Sequence, residues 1–212
     1  MNCTPPSAHT TTRRIHRRVG LGLTGLVVLM AVIAAIAATL GHLAGNLPFS
    51  SSSSTHLSPP GASSAEGAVP DGTTVFDADV PAVAKLSPDL LAALRRAAND
   101  AASDQVPFYV NSGWRSPEYQ GRLLREAVAE YGSAAEAARW VATAKTSPHV
   151  SGDAVDVGRS SATAWLSEHG AAYGLCQIYR NEPWHYELRT GAVDRGCPRM
   201  YADPTQDPRM RK

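Results

Sequence analysis

The chain has 212 residues, with 20 Lys and Arg against 19 Asp and Glu and a formal net charge of +1. This length accommodates one catalytic or binding domain with appendages and excludes two large domains. The hydrophobic content of 43% excludes a mostly disordered chain. A nearly balanced charge gives no support to nucleic-acid binding, which normally requires a clustered basic excess, so we expect no nucleic-acid partner.

The N-terminal segment combines a basic tail with a long apolar run. Residues 19–40 carry no charged side chain, and as a helix they would span about 33 Å, which matches a bilayer core of about 30 Å. Four arginines precede this run: Arg13, Arg14, Arg17 and Arg18. The positive-inside rule therefore places residues 1–18 in the cytoplasm and predicts a transmembrane anchor over residues 19–44. The alternative is a cleaved signal peptide, whose apolar region is normally shorter, about 7–15 residues.

The segment that follows is rich in Ser, Pro, Gly and Thr. Residues 45–74 include an unbroken serine run from Ser50 to Ser54. Such a composition buries too little apolar surface to offset the entropy of ordering, so it predicts a flexible linker. The folded domain is then predicted over residues 75–212, outside the cell membrane and tethered to it by a single span.

Two cysteines fall in the predicted extracytoplasmic domain. Export favours a disulfide between Cys176 and Cys197, worth about 3 kcal/mol for a loop of this length. Two buried thiols are the alternative.

Helix signals come first in the predicted domain, and strand signals are concentrated late. Ser87 and Ser116, each followed by Pro and an acidic residue, begin two helices, and Gly132 ends the second. Ser133 with Glu136 begins a third helix, expected to continue to about Thr143. A further helix is predicted over 161–169, and strands over 106–111, 154–157, 175–179 and 184–188. This order indicates an α+β fold.

Histidines beside carboxylates indicate a metal site. His149 and Asp156 are separated by six residues, and a distant His185 follows Glu182 by three positions. Two imidazoles and one carboxylate suit a catalytic zinc, which takes three protein ligands and leaves a position for water. Glu182 could then serve as a base without being a ligand. Taken singly, each residue could instead be an ordinary structural polar group.

Three segments together resemble a known family. Residues 147–156 read S-x-H-x-x-G-x-A-x-D and are followed by E-P-W-H at 182–185, a pattern similar to the zinc D-alanyl-D-alanine peptidases of the VanY and VanX type. Residues 112–120, SGWRSPEYQ, are similar to the same family's S-G-Y-R-S-x-x-Y-Q segment. The resemblance covers about residues 106–188 and implies a small Hedgehog-like α+β fold with a central antiparallel sheet.

The resemblance also implies roles for individual residues. It makes His149, Asp156 and His185 the ligands of one zinc and Glu182 the general base. Arg115 would hold the substrate or stabilise the oxyanion.

Three further side chains complete the expected substrate site. Ser147 and Gln120 lie where the family has residues that line the substrate pocket, and Arg115 is also expected to contact substrate. The alternative for Arg115 is a surface ion pair with Glu118.

The implied activity is hydrolysis of the terminal D-Ala from peptidoglycan stem peptides by a zinc-dependent D-Ala-D-Ala carboxypeptidase. A D,D-dipeptidase, an L,D-carboxypeptidase and a cross-link endopeptidase use the same chemistry and remain open. A non-catalytic wall-binding module would be expected to lack a ligand or the base, and all four are present. A structural zinc protein is disfavoured because structural sites usually have four protein ligands.

Overall fold

The computed structural model describes residues 62–211. The predicted cytoplasmic tail, the predicted transmembrane anchor and most of the predicted linker lie outside these described residues. Between residues 62 and 211, no helix is long and apolar enough to cross a membrane.

The described chain folds into short helices and an antiparallel sheet. The α-helices are α1 (Pro81–Ala84), α2 (Pro88–Ser103), α3 (Pro117–Tyr131), α4 (Ala134–Ala137), α5 (Pro148–Ser151), α6 (Ser160–His169) and α7 (Ala192–Arg195). The strands are β1 (Tyr109–Ser112), β2 (Ala154–Gly158), β3 (Leu175–Gln177) and β4 (His185–Leu188). Four 3₁₀ segments cover Ser64–Glu66, Gly170–Tyr173, Pro204–Gln206 and Pro208–Arg211.

The sheet has the strand order β1-β2-β4-β3, and every neighbouring pair is antiparallel. The predicted α+β class with an antiparallel sheet is confirmed. Strand β2 is central and buried along its whole length. Its Asp156 lies directly opposite His185 of β4, so strand pairing alone brings two of the three predicted metal ligands together.

Helix α2 supplies much of the core that supports the sheet. It begins as predicted, with Ser87 at the N-cap and Pro88 in the first turn. One face of the helix is buried and packs in the same cluster as Val155, Val157 and Tyr186 of the sheet. The buried positions are Leu90, Ala93, Leu94, Ala97, Ala98 and Ala101. Burial of each leucine contributes about 1.5–3 kcal/mol to the free energy of folding, so this face anchors the central strands.

Helix α3 also has the predicted ends. The Ser116 hydroxyl accepts a hydrogen bond from the Tyr119 backbone N–H, and Gly132 ends the helix in a left-handed conformation with φ of 77°. Glycine adopts this backbone angle without the steric cost that other residues incur. The helix therefore presents Gln120 at a defined position toward the interior.

The third predicted helix is shorter than expected. Ser133 caps it as predicted, accepting a hydrogen bond from the Glu136 N–H, but α4 ends at Ala137 instead of continuing to about Thr143. The carbonyl of Arg139 accepts a hydrogen bond from Asn181, and that of Ala142 accepts one from Gln120. A helix continuing to Thr143 would instead use the Arg139 carbonyl for the Thr143 N–H.

Other element boundaries also differ from the prediction. Strand β1 begins at Tyr109 and not at residue 106, and β3 ends at Gln177 and not at residue 179. Residues 62–74, assigned by composition to the linker, contact the domain: the Glu66 carbonyl accepts from the Ser116 N–H, and the Thr73 carbonyl from the Val110 N–H. The folded domain therefore includes residues before 75.

Cys176 and Cys197 form a disulfide bond. Cys176 is fully buried in a small cluster with Ile178, Tyr179 and Ala192. The bond joins β3 to the chain that follows α7 and so holds the C-terminal segment near this edge of the sheet.

Candidate metal centre and active site

Three elements bring the predicted ligands together. Asp156 and His185 are cross-strand partners in β2 and β4. His149 lies on the one-turn helix α5. The backbone N–H of Arg115 donates to the His149 carbonyl over 3.1 Å, which joins two of the three motif segments. All three candidate ligands are buried.

The ligand atoms have spacings that suit a tetrahedral metal. His149 Nε2 lies 3.2 Å from His185 Nδ1 and 3.4 Å from Asp156 Oδ1, and His185 Nδ1 lies 3.2 Å from Asp156 Oδ1. Ligands held about 2.0–2.1 Å from a zinc in tetrahedral geometry are about 3.3 Å apart. The three residues therefore form a possible metal site whose donor types and spacings fit zinc.

His149 is oriented by the backbone of the neighbouring motif. Its Nδ1 lies 2.9 Å from the Gly113 carbonyl oxygen and donates to it, which leaves Nε2 as the free ligand atom. A Cβ on Gly113 would lie 2.1 Å from the Ala82 carbonyl oxygen. Only glycine permits this close approach, so Gly113 is required for the carbonyl to reach His149.

His185 is oriented by a carboxylate on its own strand. Its Nδ1 faces the other candidate ligands, and its Nε2 lies 3.4 Å from Glu187 Oε1. Positions 185 and 187 share a sheet face because side chains alternate along a strand. The ring of Tyr179 packs beside the imidazole, with the ring centroids 5.1 Å apart.

The two imidazoles of the cluster have opposite pKa shifts. Burial, together with the nearby Arg115 guanidinium, lowers the pKa of His149 to about 4. Burial would also lower the pKa of His185, but hydrogen bonds to Asp156 and Glu187 outweigh it and raise that pKa to about 10. Burial opposes ionisation of Asp156, yet the adjacent histidines and Arg115 hold its pKa well below the usual range. The site thus keeps one carboxylate ionised among cationic neighbours.

Glu182 lies beside the three candidate ligands without belonging to the cluster. Its Oε2 is 3.6 Å from His185 Nδ1, and the turn that carries it is closed by a hydrogen bond from the His185 N–H to the Glu182 carbonyl. Its Oε1 is buried and has no hydrogen-bond partner within the described residues. Burial raises the pKa of Glu182 to about 7. This carboxyl can exchange a proton near neutral pH.

Arg115 is directed into the site, and its side chain is only 12% exposed. Its NH2 donates to Asp156 Oδ2 over 3.0 Å, its Nε to Ser112 Oγ over 2.7 Å and its NH1 to Gln120 Oε1 over 3.1 Å. The alternative ion pair with Glu118 is wrong, because the guanidinium points toward the sheet. Within residues 62–211, one N–H on each terminal nitrogen has no acceptor and is available to a substrate.

The two remaining predicted substrate residues have different surroundings. Ser147 precedes α5, and its hydroxyl is buried without a hydrogen-bond partner among residues 62–211. Gln120 is only 1% exposed, and it bonds both Arg115 and the Ala142 carbonyl. Gln120 is thus placed to hold Arg115, whereas Ser147 keeps a free polar group beside His149.

Sequence reasoning missed several residues that shape the site. Ser112 and Gly113 were part of the recognised motif, but their bonds to Arg115 and His149 were not predicted. The contact of Glu187 with His185 could have been predicted, because residues two apart on a strand share one face of the sheet. Arg209, which binds Glu187 over 2.6 Å, gave no signal in the sequence since it follows 22 residues later.

Comparison with known proteins identifies the family. The VanY family model, described as D-alanyl-D-alanine carboxypeptidase, matches residues 83–190, which is about half of the chain. The chain belongs to the VanY family. The match contains all three candidate metal ligands, Glu182 and Arg115.

A curated relative with the same description is similar to this chain. A D-alanyl-D-alanine carboxypeptidase from Enterococcus faecalis is 34% identical, with 41% of this chain and 41% of that protein covered. The chain thus spans well under half the length of this curated relative.

Solved structures of VanY proteins are also similar. A vancomycin-resistance D,D-pentapeptidase VanY variant from a VanB-type cassette, in complex with Zn(II), has 30% sequence identity and a TM-score of 0.46, covering 49% of this chain and 72% of that chain. VanYB in complex with D-alanine-D-alanine has 28% identity and a TM-score of 0.48, covering 52% and 74%.

Proposed function

We propose that this protein is a zinc-dependent D-Ala-D-Ala carboxypeptidase that removes the terminal D-Ala from peptidoglycan stem peptides. The observation that carries the proposal is the geometry of the site. Three buried ligand atoms lie within 3.4 Å of one another beside a buried glutamate oxygen without a described partner, in a member of the VanY family. We also propose that the domain has the Hedgehog-like D,D-peptidase fold, which the antiparallel sheet supports.

His149, Asp156 and His185 would hold the zinc. Three protein ligands leave a fourth position open, as in catalytic and not structural zinc sites. A bound zinc would lower the pKa of water to near 7 and polarise the scissile carbonyl. The second imidazole nitrogen of each histidine faces a hydrogen-bond acceptor, the Gly113 carbonyl or Glu187, which fixes both rings for ligation.

Glu182 serves as the general base. Its Oε1, which has no hydrogen-bond partner among the described residues, accepts a proton from the attacking water as the water oxygen bonds to the scissile carbonyl carbon. The same carboxyl then donates that proton to the departing amine nitrogen as the C–N bond breaks. A pKa raised by burial to about 7 in the metal-free structure matches a group that must both accept and release a proton.

Arg115 and Ser147 orient the substrate. The remaining N–H groups of Arg115 donate to the peptide oxygen that gains negative charge, and one such donor is worth about 3–4 kcal/mol in a dry site. The bonds from Arg115 to Asp156, Ser112 and Gln120 hold the guanidinium before substrate arrives. The Ser147 hydroxyl, buried and without a described partner, donates to an acceptor at the chain end of the peptide.

A panel of stem peptides tests the proposed specificity. We expect the full-length chain with zinc to shorten a pentapeptide ending in D-Ala-D-Ala by one alanine, and to leave the matched peptide ending in D-Ala-L-Ala intact. Product masses distinguish the alternatives. Release of the dipeptide indicates a D,D-dipeptidase, cleavage of the tetrapeptide alone an L,D-carboxypeptidase, and cleavage of cross-linked fragments alone an endopeptidase.

We further propose that the protein is a single-pass cell-membrane protein with its catalytic domain outside the membrane. The uncharged run at residues 19–40, preceded by arginines and followed by a Ser-rich stretch, supports this topology. A disulfide in the domain is consistent with an oxidising compartment. The domain would then face the peptidoglycan stem peptides that we propose as its substrate.

Fractionation of cells tests the anchor. We expect the protein in the membrane fraction after a high-salt wash, because about 20 apolar residues provide more binding free energy than salt-sensitive contacts. A variant with residues 19–44 deleted serves as the control and should leave that fraction. A soluble form that begins after the apolar run would show instead that the run is a cleaved signal peptide.

A further inference from the structure

The chain beyond the family match contributes to the surroundings of the metal centre. The VanY match ends at residue 190, and the C-terminal segment, residues 198–211, follows the Cys176–Cys197 disulfide. Its Tyr201 pairs in parallel with Tyr179, just after β3. The disulfide and this pairing therefore hold the segment beside β3, the edge strand that neighbours β4.

Glu187 lies directly behind His185. Its side chain is 1% exposed, and its Oε1 is 3.4 Å from His185 Nε2, on the side of the ring away from the other candidate ligands. A buried carboxylate is costly unless it is paired and hydrogen-bonded. Two arginines supply that pairing: Arg189 donates to Oε2 over 2.6 Å, and Arg209 to Oε2 over 2.6 Å and to Oε1 over 3.1 Å.

Arg209 is the stronger partner because it binds both oxygens of Glu187. A fork-shaped guanidinium that binds two carboxylate oxygens holds the plane of the carboxylate and also balances its negative charge. Arg209 is itself held by the buried carboxylate of Asp207, through its Nε and NH2. Asp207 also accepts a hydrogen bond from the Tyr179 hydroxyl over 3.0 Å.

These contacts form a closed ring around one candidate ligand. The chain of contacts runs from His185 to Glu187, Arg209, Asp207 and Tyr179, and the Tyr179 ring packs against the His185 imidazole. A histidine that ligates a metal through one nitrogen is oriented by the acceptor at its other nitrogen. The Nε2 edge of His185 contacts Glu187, and its ring face contacts Tyr179. Both of these residues are hydrogen-bonded to the C-terminal segment.

We infer that Arg209 is a positioning residue of the metal centre, acting through Glu187 on the orientation of His185. Glu187 accepts the Nε2–H of His185 and so keeps the ring turned with Nδ1 directed at the metal position. Arg209 holds Glu187 in the plane that makes this bond. The inference rests on the proposed function, because it assumes that His185 ligates the zinc.

Zinc affinity of Arg209 variants tests this inference. We expect Arg209→Met in the full-length chain to weaken zinc binding by about 10–100-fold, as loss of an outer partner of a ligand typically does. Arg209→Lys should recover only part of the loss, since an ammonium lacks the fork. The KM for the stem pentapeptide should change by less than about twofold. The dissociation constant is measured by competition with a chromogenic zinc chelator.

Two further variants complete the design. Arg211→Met is the matched control, because Arg211 is exposed on the same 3₁₀ segment and forms no ion pair with the described residues; it should bind zinc like the wild type. Glu187→Gln should weaken zinc binding as much as Arg209→Met. The double variant should lose little more than either single one, because both changes interrupt the same chain of contacts.

Specific outcomes would overturn the inference. Zinc affinity of folded Arg209→Met within twofold of the wild type would contradict it, whether or not the melting temperature of the metal-free protein falls. If Arg209→Met does not fold, unchanged zinc affinity in Arg209→Lys and Glu187→Gln would contradict it equally. A wild-type chain that binds no zinc would instead contradict the proposed metal centre, and the inference with it.

Discussion

Substitution of Glu182 by Gln should reduce kcat for the stem pentapeptide by about 10²–10⁴-fold while the protein keeps its zinc. The loss has this size because proton transfer by a positioned base contributes that factor. The metal should remain because Glu182 lies outside the cluster of His149, Asp156 and His185. The measurement is D-Ala release under saturating substrate, with zinc content determined on the same preparation.

Glu118→Gln is the matched control for this experiment. Glu118 is an exposed glutamate in the first turn of α3, within the same family motif as Arg115, and its change should leave kcat within about twofold. If Glu182→Gln kept more than a tenth of the wild-type kcat, another group would have to take the proton from water.

Substitution of His149 by Ala should remove both zinc and activity. Loss of one of three protein ligands should weaken zinc binding by more than about 10²-fold, since loss of an outer partner alone typically costs 10–100-fold. The protein should stay folded, because α5 is a single turn whose residues lie outside the main hydrophobic cluster. Metal content after dialysis and D-Ala release report the two effects separately.

His169→Ala provides the comparison among the histidines of the domain. His169 ends helix α6 and is exposed, with Glu168 and Trp165 as its neighbours, and its loss should alter neither zinc content nor turnover. Zinc retained at full stoichiometry by His149→Ala, or lost by His169→Ala, would require a different set of ligands.

The candidate site was predictable in outline because its chemistry is concentrated in short segments. Asp156 and His185 each lie in a strand whose apolar pattern is readable, and antiparallel pairing places them opposite each other. Helices α2 and α3 were predictable for a related reason, since serine caps, first-turn prolines and the terminal Gly132 are local signals.

The contacts that the sequence did not predict depend on residues distant along the chain. Beyond the early end of helix α4, Asn181 and Gln120 bind the backbone carbonyls of Arg139 and Ala142. Residues 62–74 look like linker by composition, yet Glu66 binds Arg122 across the domain surface. The pairing of Glu187 with Arg209 joins two chain segments whose proximity follows from the path after β4. Local patterns carry no information on such contacts.

Zinc removal and restoration tests the proposed activity most directly. The full-length wild-type chain is freed of metal with a chelator, returned to buffer, and supplied with increasing zinc before incubation with a stem pentapeptide ending in D-Ala-D-Ala. We expect no product from the metal-free protein. Loss of a single alanine should then increase with added zinc until about one zinc is bound per chain. If the metal-free protein removed that alanine as fast as the zinc-loaded protein, the result would contradict the proposed zinc mechanism. If the alanine stayed in place at every zinc concentration, the result would contradict the proposed carboxypeptidase activity.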